Sequence, residues 1–142
     1  MAHNPQQDDI EALADSLSAS ADALHARLMR AIRKPAPGMP EQPGIAQGVA
    51  QALFENEVTL RQLANGLYLN AAVLAAAGLG PQRRQLLELA ARARQKIDKI
   101  ERIKDLVDIA ADLLAVAAGV AAAKPEQVIQ PLENLKHHIE AL

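Results

Sequence analysis

The chain contains no cysteine and no tryptophan, and only one phenylalanine (Phe54) and one tyrosine (Tyr68) among its 142 residues. Without cysteine there is no disulfide, thiol nucleophile or thiolate metal ligand, and nothing to indicate a redox compartment. With so few aromatic rings, nucleic-acid bases have little to stack on. A strong excess of one charge is also lacking: the formal net charge is −2, which weighs against a surface devoted to nucleic acid. The start, Met-Ala-His-Asn-Pro-Gln-Gln-Asp-Asp, lacks the basic region and apolar run of a signal peptide. The cytoplasm is therefore the expected location, with export that needs no cleaved signal as the exception. No stretch alternates β-branched or aromatic with polar residues as a strand does.

What is present is aliphatic. Half of the residues are hydrophobic, and Ala and Leu dominate them. Both are strong helix formers, so the expected fold class is all-α. The length suits one domain with a substantial core.

After a short lead over 1–7, Ile10, Leu13, Leu17, Ala21, Leu24, Leu28 and Ile32 recur at steps of three and four. They predict a helix over 8–33 with a single stripe facing one partner, capped by Asp8 or Asp9. Residues 35–44, PAPGMPEQPG, hold four prolines and two glycines and predict a loop. Val49, Leu53, Leu60, Leu63, Leu67 and Leu74 predict a second helix over 45–78. Asn56 and Asn70 fall on that stripe, where they either fix register or lie at the edge of a wide seam. Asn65-Gly66 is its weak point.

Pro81 suits the first turn of a third helix over 81–123. Two successive three-residue steps at Ile97, Ile100 and Ile103 mark a stammer, a local overwinding. From Asp105 onward a second apolar set (Leu106, Ile109, Leu113, Val116, Val120) widens the arc, which places that half centrally and the first half peripherally. A short C-terminal helix over 125–142 should kink or restart at Pro131.

These lengths and short connections predict one all-helical domain over 1–142, an antiparallel bundle of three to four helices. Its second and third helices would form a long coiled-coil-like hairpin. The first and third would run parallel, with Asp8, Asp9, Glu11 and Asp15 level with Lys99, Arg102 and Lys104.

The hairpin tip, Leu63–Gln82, is twenty residues without a charge. Leu67, Tyr68, Asn70, Leu74, Leu79, Leu86 and Leu87 are the candidate partner or self-association surface there. The plainer reading packs Ala71, Ala72, Ala75, Ala76 and Gly78 against Leu86, Leu87, Ala90 and Ala93. A membrane segment needs about twenty apolar residues, but two Asn and four Gly or Pro breakers make a poor span. Residues 83–104 carry eight basic and three acidic side chains. Arg83, Arg84, Arg92, Arg94 and Lys96 are accordingly a candidate surface for an anion or acidic partner, or else a solvated helix face.

Chemistry-bearing patterns are sparse. His137 and His138 are adjacent and so diverge on a helix. Met1-Ala2-His3 offers a metal only a retained amino terminus and one imidazole. Asp105, Asp108 and Asp112 share a face, but no Glu-x-x-His pattern joins them. No nucleophile–base pairing or Gly-rich phosphate loop is found. The expectation is a non-enzyme with no cofactor and no metal site, whose partner is a protein or another copy of itself. Its layout, a small acidic chain with long antiparallel coiled coils, resembles bacterial secretion chaperones and adaptor bundles in architecture. The resemblance implies a helical interaction module, such as an adaptor, chaperone or assembly subunit. A membrane-associated or pore-related helical protein using the 63–82 tip is the alternative.

Overall fold

The computed structural model describes residues 4–142, without the side chains of Pro40, Gln42 and Pro43; Met1-Ala2-His3 lies outside the described residues. The all-α class holds, with six α-helices among the described residues. The first, α1 (Pro5–Arg33), starts earlier than its apolar stripe predicts. Asn4, rather than Asp8 or Asp9, is the cap: its side chain accepts hydrogen bonds from the Gln6 and Gln7 amides at 3.0 and 3.3 Å. Pro5 then fits the first helical position, where its missing N–H leaves nothing unpaired.

The Pro/Gly-rich stretch is not a plain loop. It folds as a two-stranded antiparallel ribbon, β1 (Pro35–Ala36) against β2 (Met39–Pro43), turning at Gly38 with φ +73°. Gly44 closes it by donating its N–H to the Lys34 carbonyl at 2.6 Å, and a Cβ on Gly44 would sit 2.9 Å from that oxygen.

The predicted second helix breaks in two, α2 (Gln47–Leu69) and α3 (Ala71–Ala77). The break falls at Asn70 and not at Asn65-Gly66. Both the backbone N–H and the side-chain Nδ2 of Asn70 donate to the Gly66 carbonyl. A side chain that bonds the backbone locally ends a helix, so Asn70 is an exposed terminus and no seam residue. α2 runs antiparallel to α1, since Asp15, Asp22 and His25 meet Tyr68, Arg61 and Glu57 in reverse order. α3 packs across α1, and Gly78 and Gly80, both at positive φ, turn the chain back.

The predicted third helix also breaks. α4 (Arg83–Lys96) ends in a 3₁₀ turn at Ile97–Lys99, and an extended stretch leads to α5 (Ile103–Ala121). The stammer thus resolves as a 3₁₀ turn, whose three-residue period matches its spacing. Arg27 holds the break by donating to the Ile100 and Glu101 carbonyls at 2.6 and 3.0 Å. Arg30 donates to the Asp98 carboxylate at 2.6 Å. Burial pushes the Arg27 pKa down.

Two broken helices cannot form the expected long hairpin. α4 takes α1 and α6 as neighbours, while α5 lies along α2. α4 does run parallel to α1, but at a different level from the one predicted: Arg83, not the 98–105 region, meets Asp9, and Asp98 meets Arg30. α1 is the hub, touching α2, α3 and α4 rather than one partner. A left-handed Ala123 (φ 56°) ends α5. The Lys124 amide donates to Gly119 and the Ala123 amide to Val120, a Schellman closure.

After a turn at Pro125–Gln127, α6 (Ile129–Glu140) returns antiparallel to α5. The restart falls at Ile129, with Pro131 in the first turn, where no intrahelical N–H is needed. The neighbours close a ring in the order α1, α2, α5, α6, α4 around an aliphatic core.

Candidate functional site

Gln47, Gln51, Phe54, Val58, Gln62, Asn65 and Leu69 follow one another on α2 at steps of three and four, so they form one stripe. All are exposed except the half-buried Phe54. The charged residues of α2 are Glu55, Glu57 and Arg61. Glu55 is exposed and shares the stripe, four residues after Gln51 and seven before Gln62, Glu57 points inward and is 7% exposed, and Arg61 is tied down. A line with a single free-standing charge, Glu55, therefore runs the length of the helix, about 33 Å at 1.5 Å per residue. α5, which packs against α2, carries exposed alanines of its own at 111, 115, 118 and 121.

The two ends of the stripe differ in shape. At the N-terminal end, Ile32, Ile45, Ala50 and Phe54, with Gln47 and Gln51, line an apolar groove of about 560 Å³ between α1 and α2. At the other end, Leu69 and Val73 stand 86% and 74% exposed.

Where α2 meets α1 lies a polar chain. His25 Nδ1 is 2.7 Å from Glu57 Oε1, Arg61 Nε donates to Glu57 Oε2 at 3.0 Å, and Arg61 Nη1 donates to Asp22 at 2.6 Å. The bonds to Asp22 first and Glu57 next hold the Arg61 pKa up. His25 also tilts against Phe54, with ring centroids 6.1 Å apart, so the only phenylalanine is braced from behind. This arrangement compensates a buried carboxylate. No serine, threonine or cysteine takes part in it.

The residues of the uncharged run separate cleanly. Leu67, Leu74, Leu79 and Leu86 are buried in the core and present no surface. Leu87 is half-buried, Asn70 caps α2, and Tyr68 donates its hydroxyl to Asp15. Burial first, then that bond, pushes the Tyr68 hydroxyl up to about 12. The tip does not project as an arm: it folds onto α1, and Gly80 lies so close to Pro125 that a Cβ there would be 3.0 Å away. No helix of the described residues is long and apolar enough to cross a membrane. The most exposed large side chains of the run are Leu69 and Val73, neither singled out by the sequence pattern, with Tyr68 39% exposed beside them.

The basic residues are dispersed. Arg83 pairs with Asp9, Arg102 with Asp105 and Lys104 with Asp108, while Arg84, Arg92, Arg94 and Lys96 are exposed along α4. A second buried carboxylate, Asp112, meets His138 Nδ1 at 2.5 Å, with Asp108 3.9 Å from the other ring nitrogen. Burial pushes Asp112 up, against the opposing effect of His138. His137 is exposed, with its ring edge-on to that of His138 at 5.7 Å between centroids. Among the described residues no group of His and acidic side chains is placed to hold a metal. Comparison with protein-family models, with curated proteins and with solved structures gives no match for the chain.

Proposed function

We propose that the chain is a non-enzymatic helical interaction module, an adaptor, secretion-type chaperone or assembly subunit that docks an apolar helix on the α2 face. The observation that carries this reading is the α2 stripe, whose one charge is Glu55, ending in the groove lined by Phe54. An amphipathic helix recognises such a groove by inserting side chains spaced three and four residues apart. Large aliphatic side chains left in water are also informative: burying one is worth about 1.5–3 kcal/mol, and Leu69 and Val73 leave that gain unused in the isolated chain.

Selection of helical peptides from a displayed library tests the reading. Binders should carry an apolar i,i+4 pair and lose about tenfold in affinity, 1.4 kcal/mol, against the Phe54→Glu variant. A selection that returns no binders, or binders indifferent to Phe54→Glu, overturns it.

A further inference from the structure

We infer that the groove between the last two turns of α1 and the 97–102 connection docks an acidic peptide segment of a partner, through cations set on both walls. The site is separate from the α2 groove, and its geometry does not depend on that groove being filled.

The first ground is charge. The groove has a volume of about 710 Å³. On one wall Arg27, Arg30 and Lys34 recur at steps of three and four, a row about 10 Å long at 1.5 Å per residue, with Arg33 beside it. The other wall is the break between α4 and α5, which contributes Asp98, Lys99, Ile100 and Glu101. Five cations and two carboxylates therefore line the groove, in a chain whose net charge is −2. Arg30 is paired with Asp98 at 2.6 Å. Arg33, Lys34 and Lys99 stand exposed without an ion pair among the described residues.

Arg27 is the second ground. It is half-buried and gives Nε and Nη2 to the Ile100 and Glu101 carbonyls, which satisfies those donors but leaves the charge without a bonded carboxylate. Burial first, and then the like charge of Arg30, push its pKa down against the pull of Asp98. An anion brought to such a cation stabilises it. The same bonds, with Arg30 to Asp98, fix both walls in advance, and a preformed site costs less to fill.

The spacing selects the kind of anion. An acidic helix presents its carboxylates at the same steps of three and four, and guanidinium groups pair carboxylates through two parallel hydrogen bonds. A continuous polyanion instead meets Asp98 and Glu101 in the wall, and no aromatic side chain lines the groove for bases to stack on.

Fluorescence anisotropy of a labelled peptide of about eight glutamates, long enough to span the row, titrated with the full-length chain, tests this. Binding should saturate, and should weaken at least about tenfold between roughly 50 and 500 mM salt. Arg33→Glu with Lys34→Glu should lose about tenfold or more, and Lys99→Glu on the other wall about threefold or more, with circular dichroism spectra unchanged. Arg84→Glu with Arg92→Glu alters the net charge as much as the first pair, yet should bind within about twofold of the unmodified chain. Phe54→Glu should do the same, so this site and the apolar docking on α2 fail separately. The inference is overturned by an absence of saturable binding, by equal losses in the two double variants, or by loss through Phe54→Glu. A single-stranded oligonucleotide of equal charge that displaces the peptide at lower concentration also overturns it, because the occupant is then a nucleic acid.

Discussion

Along α2 the larger outward residues are Gln47, Gln51, Glu55, Val58, Gln62, Asn65, Tyr68 and Leu69; along α4 they are Arg83, Arg84, Glu88, Arg92, Arg94, Gln95 and Lys96. The inward residues of the two helices are alike. α2 buries Leu53, Leu60 and Leu67, and α4 buries Leu86, Leu89, Ala90 and Ala93. Each therefore supplies the core with an aliphatic stripe, and the bundle closes whichever chemistry faces out. The difference outside concerns what the surface meets. Charged side chains on α4 keep that face in water. A face with one carboxylate, Glu55, and protruding aliphatics at Leu69 and Val73 has much less of that protection, and such patches mark contact sites.

The largest effect that sharpens this contrast separates two leucines of one helical turn. Leu67→Ala should cost about 3 kcal/mol in urea unfolding, as buried leucines do, since Leu67 is fully buried. Leu69→Ala should change the stability of the monomer by less than about 0.5 kcal/mol. Equal losses would place Leu69 in the core and remove the contrast.

A glycine pair makes a second, smaller test. On Gly119 a Cβ would lie 2.8 Å from Val128 Cγ2, whereas on Gly66 it meets nothing within 4 Å. Gly119→Val should therefore cost about 2 kcal/mol by forcing α5 away from the chain that leads to α6. Gly66→Ala should add about 1 kcal/mol through helix propensity alone. A destabilised Gly66→Ala variant would mean that this part of α2 is covered within the monomer.

Much of the inner pattern was legible beforehand because it is local. The α1 stripe, the wide apolar arc of α5 and the breakers at 35–44 are all readable at helical spacing. The stammer at Ile97, Ile100 and Ile103 located the second break without showing that it was one. What stayed hidden depends on particular bonds or on distant partners. Asn70 ends α2 through two bonds to one carbonyl, and nothing in the apolar period distinguishes it from Asn56. Missing that break carried the α1–α4 level and the hairpin with it. The groove joins Ile32 to Phe54 across the ribbon, and the His25–Glu57 and His138–Asp112 pairs span 32 and 26 residues. An uncharged run also reads the same whether it lines a core or a surface. Burial, which the sequence does not print, divides Leu67 and Leu74 from Leu69 and Val73.

A third effect, smaller again, concerns charge hidden inside the bundle. α5 keeps Asp112 inward, and burial raises its pKa above the ordinary 3.8. A raised folded pKa stabilises the fold below the unfolded value and loses that contribution as pH rises through the folded one. His138, Asp108 and Lys104 surround the carboxylate or its partner, and the His138 bond acts the other way, but less strongly than burial. Wild type should therefore gain stability relative to Asp112→Asn as pH is lowered toward 3.8, followed by urea unfolding at each pH. A relative loss on acidification would show that pairing with His138 outweighs burial.

The smallest expected change is also the one that opposes the two faces most directly. Contacts between exposed charges weaken as added salt shortens the screening length, and contacts between uncharged surfaces do not. Docking of an apolar helix on α2 should then change less than about twofold between roughly 50 and 500 mM salt. Apolar burial carries that contact, and Arg61 near its centre is already neutralised. An association resting on Arg84, Arg92, Arg94 and Lys96 would instead fall steeply over the same range. Titration of a selected apolar helix into the chain across the salt series reads the outcome. A tenfold or greater loss would move the contact from α2 to α4 and invert the comparison, making the charged face the one that meets a partner.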